Sequence, residues 1–197
     1  LMKKLIGIIA ILTIIFIYGC SKQPSSIKAK QDGKPLIVMY GDFKCPYCKK
    51  VEDKVMPKLR NKYIDKNKVK FQYVNLAFIG KDSIIGSRAQ QAVNHYAPKY
   101  SLQFQKLMFE HQKDEDKKWI THTLIDKQID KLNISNKTKD KIKTNYKTKN
   151  STSWKAAEKD KKLGKEHHIK QTPTVFIEGK KVKDPYDFSS YQKLLEE

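Results

Sequence analysis

This chain of 197 residues is short of cysteine, nearly devoid of arginine, and has too little acid to balance its base. Its three cysteines, Cys20, Cys45 and Cys48, are too few for the disulfide framework of a small secreted scaffold. Arg60 and Arg88 are the only arginines, so the formal net charge of +20 is carried by lysine. Readers of base edges or phosphates rely on the arginine fork, and the lysines are spread along the whole length instead of forming one stripe. Nucleic acid is therefore not the expected partner; a lysine-rich solvated surface facing anionic polymers or membrane is. Histidine is also sparse. His167 and His168 are adjacent, which is poor geometry for two ligands of one tetrahedral ion, and His95, His111 and His122 form no matching pair, so no metal site is expected. The sequence also lacks an apolar run of comfortable membrane-spanning length. Residues 5–18 come nearest, and behind Lys3 and Lys4 they have the pattern of an export signal.

That run ends in Ile17-Tyr18-Gly19-Cys20, which resembles the lipobox of bacterial lipoproteins, where the cysteine is lipidated and becomes the mature N-terminus. A signal over residues 1–19 is expected, with Cys20 as the lipid attachment; the alternatives are a plain secretory signal or a retained N-terminal anchor with an unrelated cysteine. Either way the rest of the chain works outside the cytoplasm. Residues 20–34, with Pro24, Ser25, Ser26 and Gly33 among lysines, read as a flexible tether.

With Cys20 assigned to lipid, Cys45 and Cys48 remain, in Phe43-Lys44-Cys45-Pro46-Tyr47-Cys48. A pair this close in an oxidising compartment can close a disulfide ring, and so small a ring stabilises little, which favours redox chemistry over a structural staple. The continuous apolar run Leu36-Ile37-Val38-Met39-Tyr40 suits a buried strand, and from Pro46 onward Val51, Val55 and Leu59 recur at helical spacing to about Tyr63. Proline suits the first helical position. Cys45 then stands at a helix N-terminus, where unpaired amides and the helix dipole favour a thiolate.

Alternation in residues 69–74 predicts a second strand, making a right-handed βαβ unit with parallel strands. Amphipathic helices follow: one through Ala89, Ala92 and Val93, one through Phe104, Leu107 and Met108, and a third over residues 117–132 with Trp119 and Ile120 on its apolar side. Lysine-rich helices are expected over residues 136–147 and 151–163, the latter stopping at Gly164. Residues 174–178 and 181–183 read as a hairpin around Gly179-Lys180, and residues 187–195 as a closing helix. Proline entering a strand, as in Thr172-Pro173, belongs at its first residue or in a special turn; the local sequence leaves cis and trans open.

Phe43-Lys44-Cys45-Pro46-Tyr47-Cys48 together with Gln171-Thr172-Pro173-Thr174-Val175-Phe176-Ile177 resembles the thioredoxin superfamily. The long helical insertion between the two motifs is similar to the DsbA branch, and with the lipobox and lysine-rich character the chain most resembles the lipid-anchored DsbA of staphylococci. The resemblance implies an α/β, thioredoxin-like fold with a mixed central sheet and an inserted all-helical subdomain. Residues 35–80 and 151–197 would be its two thioredoxin-like parts and residues 81–150 the insertion. It implies Cys45 as the solvent-exposed attacking sulfur and Cys48 as its buried partner. Pro173 would be a cis-proline facing the pair, and Thr172 would offer backbone hydrogen bonds to substrate, with Pro46 and Tyr47 completing the active site. No cofactor beyond the Cys45-Cys48 disulfide is implied.

Two departures stand out. Many relatives have Pro-His where this chain has Pro46-Tyr47, and several carry an acid where it has Met39. Helix amides must then do more of the thiolate stabilisation; an alternative role for Tyr47 is to shield the pair from water. The expected function is an extracytoplasmic dithiol oxidase acting on newly exported cysteine-containing proteins, monomeric and anchored to the membrane of a Gram-positive bacterium. The alternatives are a tethered reductase or isomerase for specific clients, or a non-enzymatic metal-binding lipoprotein.

Overall fold

The computed structural model describes residues 27–196. The signal over residues 1–19 and the lipid site at Cys20 lie outside the described residues. Strand β1 (Lys30–Gln31) turns through Asp32 and Gly33, both at positive φ, into β2 (Lys34–Gly41). The last residues read as tether are thus paired: Lys30 stands opposite Pro35, and the Leu36 amide donates to the Ala29 carbonyl at 2.9 Å.

Strand β2 is the centre of a mixed sheet. Strand β3 (Lys70–Asn75) pairs parallel to it, from Leu36 opposite Lys70 to Gly41 opposite Asn75, as the βαβ reading requires. Strand β4 (Thr174–Ile177) pairs antiparallel on the other edge, and β5 (Lys180–Lys181) follows antiparallel to β4. Both faces of β2 are covered, which explains its unbroken apolar run. Ile37 and Met39 belong to the large core shared with the helices. Leu36, Val38 and Tyr40 face a second cluster with Val74 and Leu76, covered by Leu163, Ile169 and Phe176.

The first helix differs from its expected single span. Helix α1 (Pro46–Lys54) gives way at Val55 to a short α2 (Met56–Leu59) and a π turn (Arg60–Ile64). Pro57 has no amide to donate and its ring crowds the carbonyl four residues back, so the helix cannot run through it straight.

Between β3 and β4 the chain is helical: α3 (Ser83–Tyr96), α4 (Ser101–Glu110), α5 (His122–Asp130), α6 (Asn136–Lys147) and α7 (Thr152–Glu166). Helix α3 is its axis and packs against both α6 and α7. Two expected boundaries are corrected. Trp119 and Ile120 precede α5 instead of lying in it, because their amides donate to the Asp82 carboxylate at 3.0 and 2.9 Å and Thr121 caps the helix. Gly164 does not stop α7. It is buried inside the helix where a Cβ would stand 2.4 Å from Leu76, so glycine here permits a close helix–sheet approach.

The hairpin turn also sits one residue earlier than read. Glu178 and Gly179 both have positive φ, the signature of a type I′ turn. Helix α8 (Phe188–Leu195) closes the chain. Among the described residues no helix is long and apolar enough to cross a membrane.

Candidate active site

The residues before Cys45 are fixed by one carboxylate. Asp42 is fully buried. Its Oδ1 accepts from the Lys44 amide and the Ser83 hydroxyl, both at 2.9 Å, and its Oδ2 from the Phe78 and Ile79 amides at 2.9 and 3.0 Å. A buried carboxylate with four donors is satisfied and holds the turn after β2 in one geometry. The Cys45 amide donates to the Asp42 carbonyl at 3.0 Å, and Pro46 opens α1.

Cys45 is then the N-cap of α1. Its sulfur accepts the Cys48 amide at 3.3 Å, standing where a serine or aspartate oxygen usually stands. That position does to the thiol what the sequence pattern leads one to expect. The Cys45 pKa falls from 9.0 to about 7, chiefly because the Cys48 thiol donates to it; burial opposes this, and the Thr172 side chain and the Cys48 and Tyr47 amides assist. Cys48 moves the other way: burial, then its bond and charge coupling to Cys45, push its thiol well up. The helix amides therefore share the task with the second cysteine, which supplies the largest contribution.

Exposure departs from the expectation. Cys45 is 3% exposed, not an open surface sulfur, and Cys48 is completely covered. The Thr172 carbonyl lies against Cys45 and accepts its S–H at 3.4 Å. Only the thiol can make this contact, since a thiolate would face the carbonyl lone pairs. Ionisation therefore gives up the bond to the Thr172 carbonyl and leaves the Cys48 thiol, the Thr172 side chain and the helix amides to hold the sulfur. Both thiols are free, and the Thr172–Pro173 peptide bond is cis.

Beside the pair opens a groove of about 380 Å³, lined by Tyr47, Thr172, Pro173, Lys181, Lys183 and Tyr186. Tyr47 is 60% exposed, with its ring 6.4 Å from that of Tyr186. It forms a wall of the groove. The structure thus gathers Cys45, Cys48, Pro46, Tyr47, Thr172 and Pro173 into one place, although 124 to 128 positions separate the two motifs in sequence.

Several residues at this site carry no signal in the sequence. Lys44 is buried with its Nζ 2.9 Å from Asp82 Oδ1 and 2.9 Å from the Lys117 carbonyl. Burial alone would raise the Asp82 carboxyl, but the Ile120 amide, the Lys44 ammonium and the Trp119 amide outweigh it and bring the pKa below the usual value. Gln112, just beyond α4, donates to the carbonyls of Phe43 at 2.6 Å and Cys45 at 3.0 Å. One turn beyond Cys48, Glu52 is buried and accepts from Gln105 at 2.8 Å; burial raises its carboxyl from 4.5 to about 7. A lysine among many and a glutamine in a loop look ordinary until the fold encloses them. Among the described residues no cluster of three or more His, Cys, Asp or Glu side chains is placed to hold a metal.

Comparison with known proteins follows this geometry. A family model described as Thioredoxin matches residues 27–197. "Disulfide bond formation protein D" of Bacillus subtilis (strain 168) is 32% identical over 181 residues, covering 89% of this chain and 79% of that protein. A "Probable disulfide bond formation protein D" of Bacillus cereus is 31% identical over 171 residues, covering 85% and 75%. Among solved structures, oxidised BdbD from Bacillus subtilis superposes with a TM-score of 0.74 at 30% identity, covering 88% of this chain and 94% of that one. The oxidoreductase NmDsbA1 from N. meningitidis, with a TM-score of 0.64 at 21% identity, covering 87% and 85%, shares the fold.

Proposed function

Because this chain belongs to the thioredoxin family and is a DsbA-like thiol:disulfide oxidoreductase, we propose that it is a dithiol oxidase that donates a Cys45–Cys48 disulfide to exported proteins. The divergence of the two thiols, Cys45 lowered to about 7 and Cys48 raised, makes Cys45 the exchanging sulfur. Thioredoxin's own thiol also sits at about 7, so the observation that carries the oxidising direction is the likeness to proteins named for disulfide bond formation. A substrate thiolate attacks Cys45 Sγ, forming a mixed disulfide; the Cys45–Cys48 bond breaks and Cys48 takes a proton. The second substrate thiolate attacks the substrate sulfur of that mixed disulfide and releases Cys45 as a thiolate. The substrate loses two electrons and the enzyme gains them.

A low Cys45 pKa makes it the better leaving group in the second step. The raised Cys48 pKa slows the abortive return, in which Cys48 would expel the substrate still reduced. In this reading Thr172 and Pro173 receive the substrate strand, Pro46 starts the helix, and Tyr47 forms part of the rim. The chain is a monomer, held by lipid on Cys20 at the extracytoplasmic face of a Gram-positive membrane, and newly exported cysteine-containing proteins are its clients. The relatives' printed name, disulfide bond formation, supports the direction of oxidation.

The reduction potential of Cys45–Cys48, equilibrated against glutathione, tests the direction. The expected value is clearly more oxidising than that of thioredoxin, about −270 mV. A value at or below thioredoxin's would replace the oxidase by a reductase. Lipid anchoring is tested separately by Cys20→Ser, expected to release the protein from the membrane.

A further inference from the structure

The groove beside Cys45 is unequal in charge. Lys181 and Lys183 line it together with Tyr47, Thr172, Pro173 and Tyr186, and Lys50 from α1 holds its Nζ 4.5 Å from the centre of the Tyr186 ring. All three lysines are exposed, and none pairs with a carboxylate among the described residues. Other lysines nearby are committed: Lys49 to Asp53 at 2.9 Å and Lys44 to Asp82 at 2.9 Å. Asp184 is the one carboxylate in the loop between Lys183 and Tyr186, and its Oδ1 accepts the Tyr186 amide at 2.8 Å. Two cations without a carboxylate partner therefore line the groove beside Thr172 and Pro173, and a third, Lys50, stands over the Tyr186 ring at its side.

We propose that this groove selects substrate cysteines flanked by acidic residues. The proposal rests on the oxidase reading and adds a substrate class to it. An extended peptide passing the Thr172 carbonyl with its cysteine at Cys45 presents the residues two positions away on the same side, about 7 Å along the strand. Glu or Asp at those positions meets Lys50, Lys181 or Lys183, and a lysine there meets like charge. Exposed pairs are individually weak, so the summed preference of Glu over Lys is roughly tenfold at low ionic strength. It fades as the screening length shortens to about 8 Å near physiological salt.

The test uses the oxidised full chain and three dithiol peptides, identical except for Glu, Gln or Lys on both sides of the first cysteine. Acidic neighbours raise a peptide thiol's own pKa and slow it, so each oxidation rate is divided by that peptide's rate with hydroxyethyl disulfide, which is neutral. The expected order is Glu, Gln, Lys, with the Glu-to-Lys ratio collapsing toward one in the triple variant Lys50→Gln, Lys181→Gln, Lys183→Gln. A control triple, Lys137→Gln, Lys141→Gln, Lys149→Gln on and beyond the exposed side of α6, removes the same charge and is expected to keep the ratio. Equal normalised rates, or a ratio lost equally in both triples, overturn the proposal and leave the oxidase reading standing. Failure to oxidise any of the three peptides overturns the oxidase reading and this inference with it.

Discussion

The sheet half and the helical insertion divide the site between them unequally. The sheet half carries every atom assigned to the chemistry: Cys45 and Cys48 follow β2, and Thr172 and Pro173 precede β4. The insertion contributes none of these, yet it supplies hydrogen-bond partners all around them. Asp82 and the Lys117 carbonyl hold Lys44, Ser83 holds Asp42, Gln112 holds the carbonyls of Phe43 and Cys45, and Gln105 holds Glu52. The reactive loop is therefore set from outside its own half, and a sulfur whose pKa depends on accepting two or three hydrogen bonds needs that geometry kept.

The division can be broken most severely at Lys44. Lys44→Met leaves Asp82 buried without its cation, and losing one partner of a buried pair costs about 3–5 kcal/mol. Thermal unfolding should show the loss, and Asp82→Asn in the same background should recover part of it. If the double variant is no more stable than the single, the insertion holds the loop by packing alone.

Next in size is the pH dependence of Cys45. Its pKa is depressed in the folded dithiol, so the stability it contributes is fully present above 9 and is lost as pH falls through about 7, a range of about 2.7 kcal/mol for two pH units. Alkylation of Cys45 should have its midpoint near 7 while Cys48 stays unmodified. A midpoint near 9 would mean that the cap geometry does not polarise the thiol.

Glu52 tests the link between α1 and α4. Its pKa is raised to about 7, so the favourable contribution of the neutral form is fully present below 4.5 and lost as pH rises through 7. Glu52→Gln should leave stability unchanged at pH 4 and raise it by roughly 1–3 kcal/mol at pH 8. A destabilised variant at pH 8 would show that the carboxylate charge serves the site. The smallest effect is expected at Gln112. Gln112→Ala removes one donor from two carbonyls and should cost about 1–2 kcal/mol, with the Cys45 alkylation midpoint moving upward. An unmoved midpoint would make Gln112 a support of stability only.

The fold was largely legible because its strands and its active-site helix announce themselves locally. An apolar run bounded by Gly41, a proline inside the cysteine pair and a glycine turn at residue 179 are short-range signals. Local pattern misleads where long-range contacts override it. Trp119 and Ile120 fit the helical stripe but are drawn out by Asp82, 37 and 38 positions away. Gly164 has the identity of a helix stop, yet Leu76, just past β3, decides its use.

The sequence by itself determined the chemistry available at the site: two cysteines at a helix start, a distant Thr-Pro to face them, and an excess of lysine. Those are matters of covalent spacing and residue type, which act over a few bonds or a whole composition. Only the tertiary structure decided that Cys45 is nearly covered, that Tyr47 forms a groove wall, that Lys44 is buried among 41 basic residues, and that Lys50, Lys181 and Lys183 collect beside Tyr186. Burial and charge proximity are properties of space, and residues from 44 to 183 meet there only when the sheet and the insertion close around the same loop.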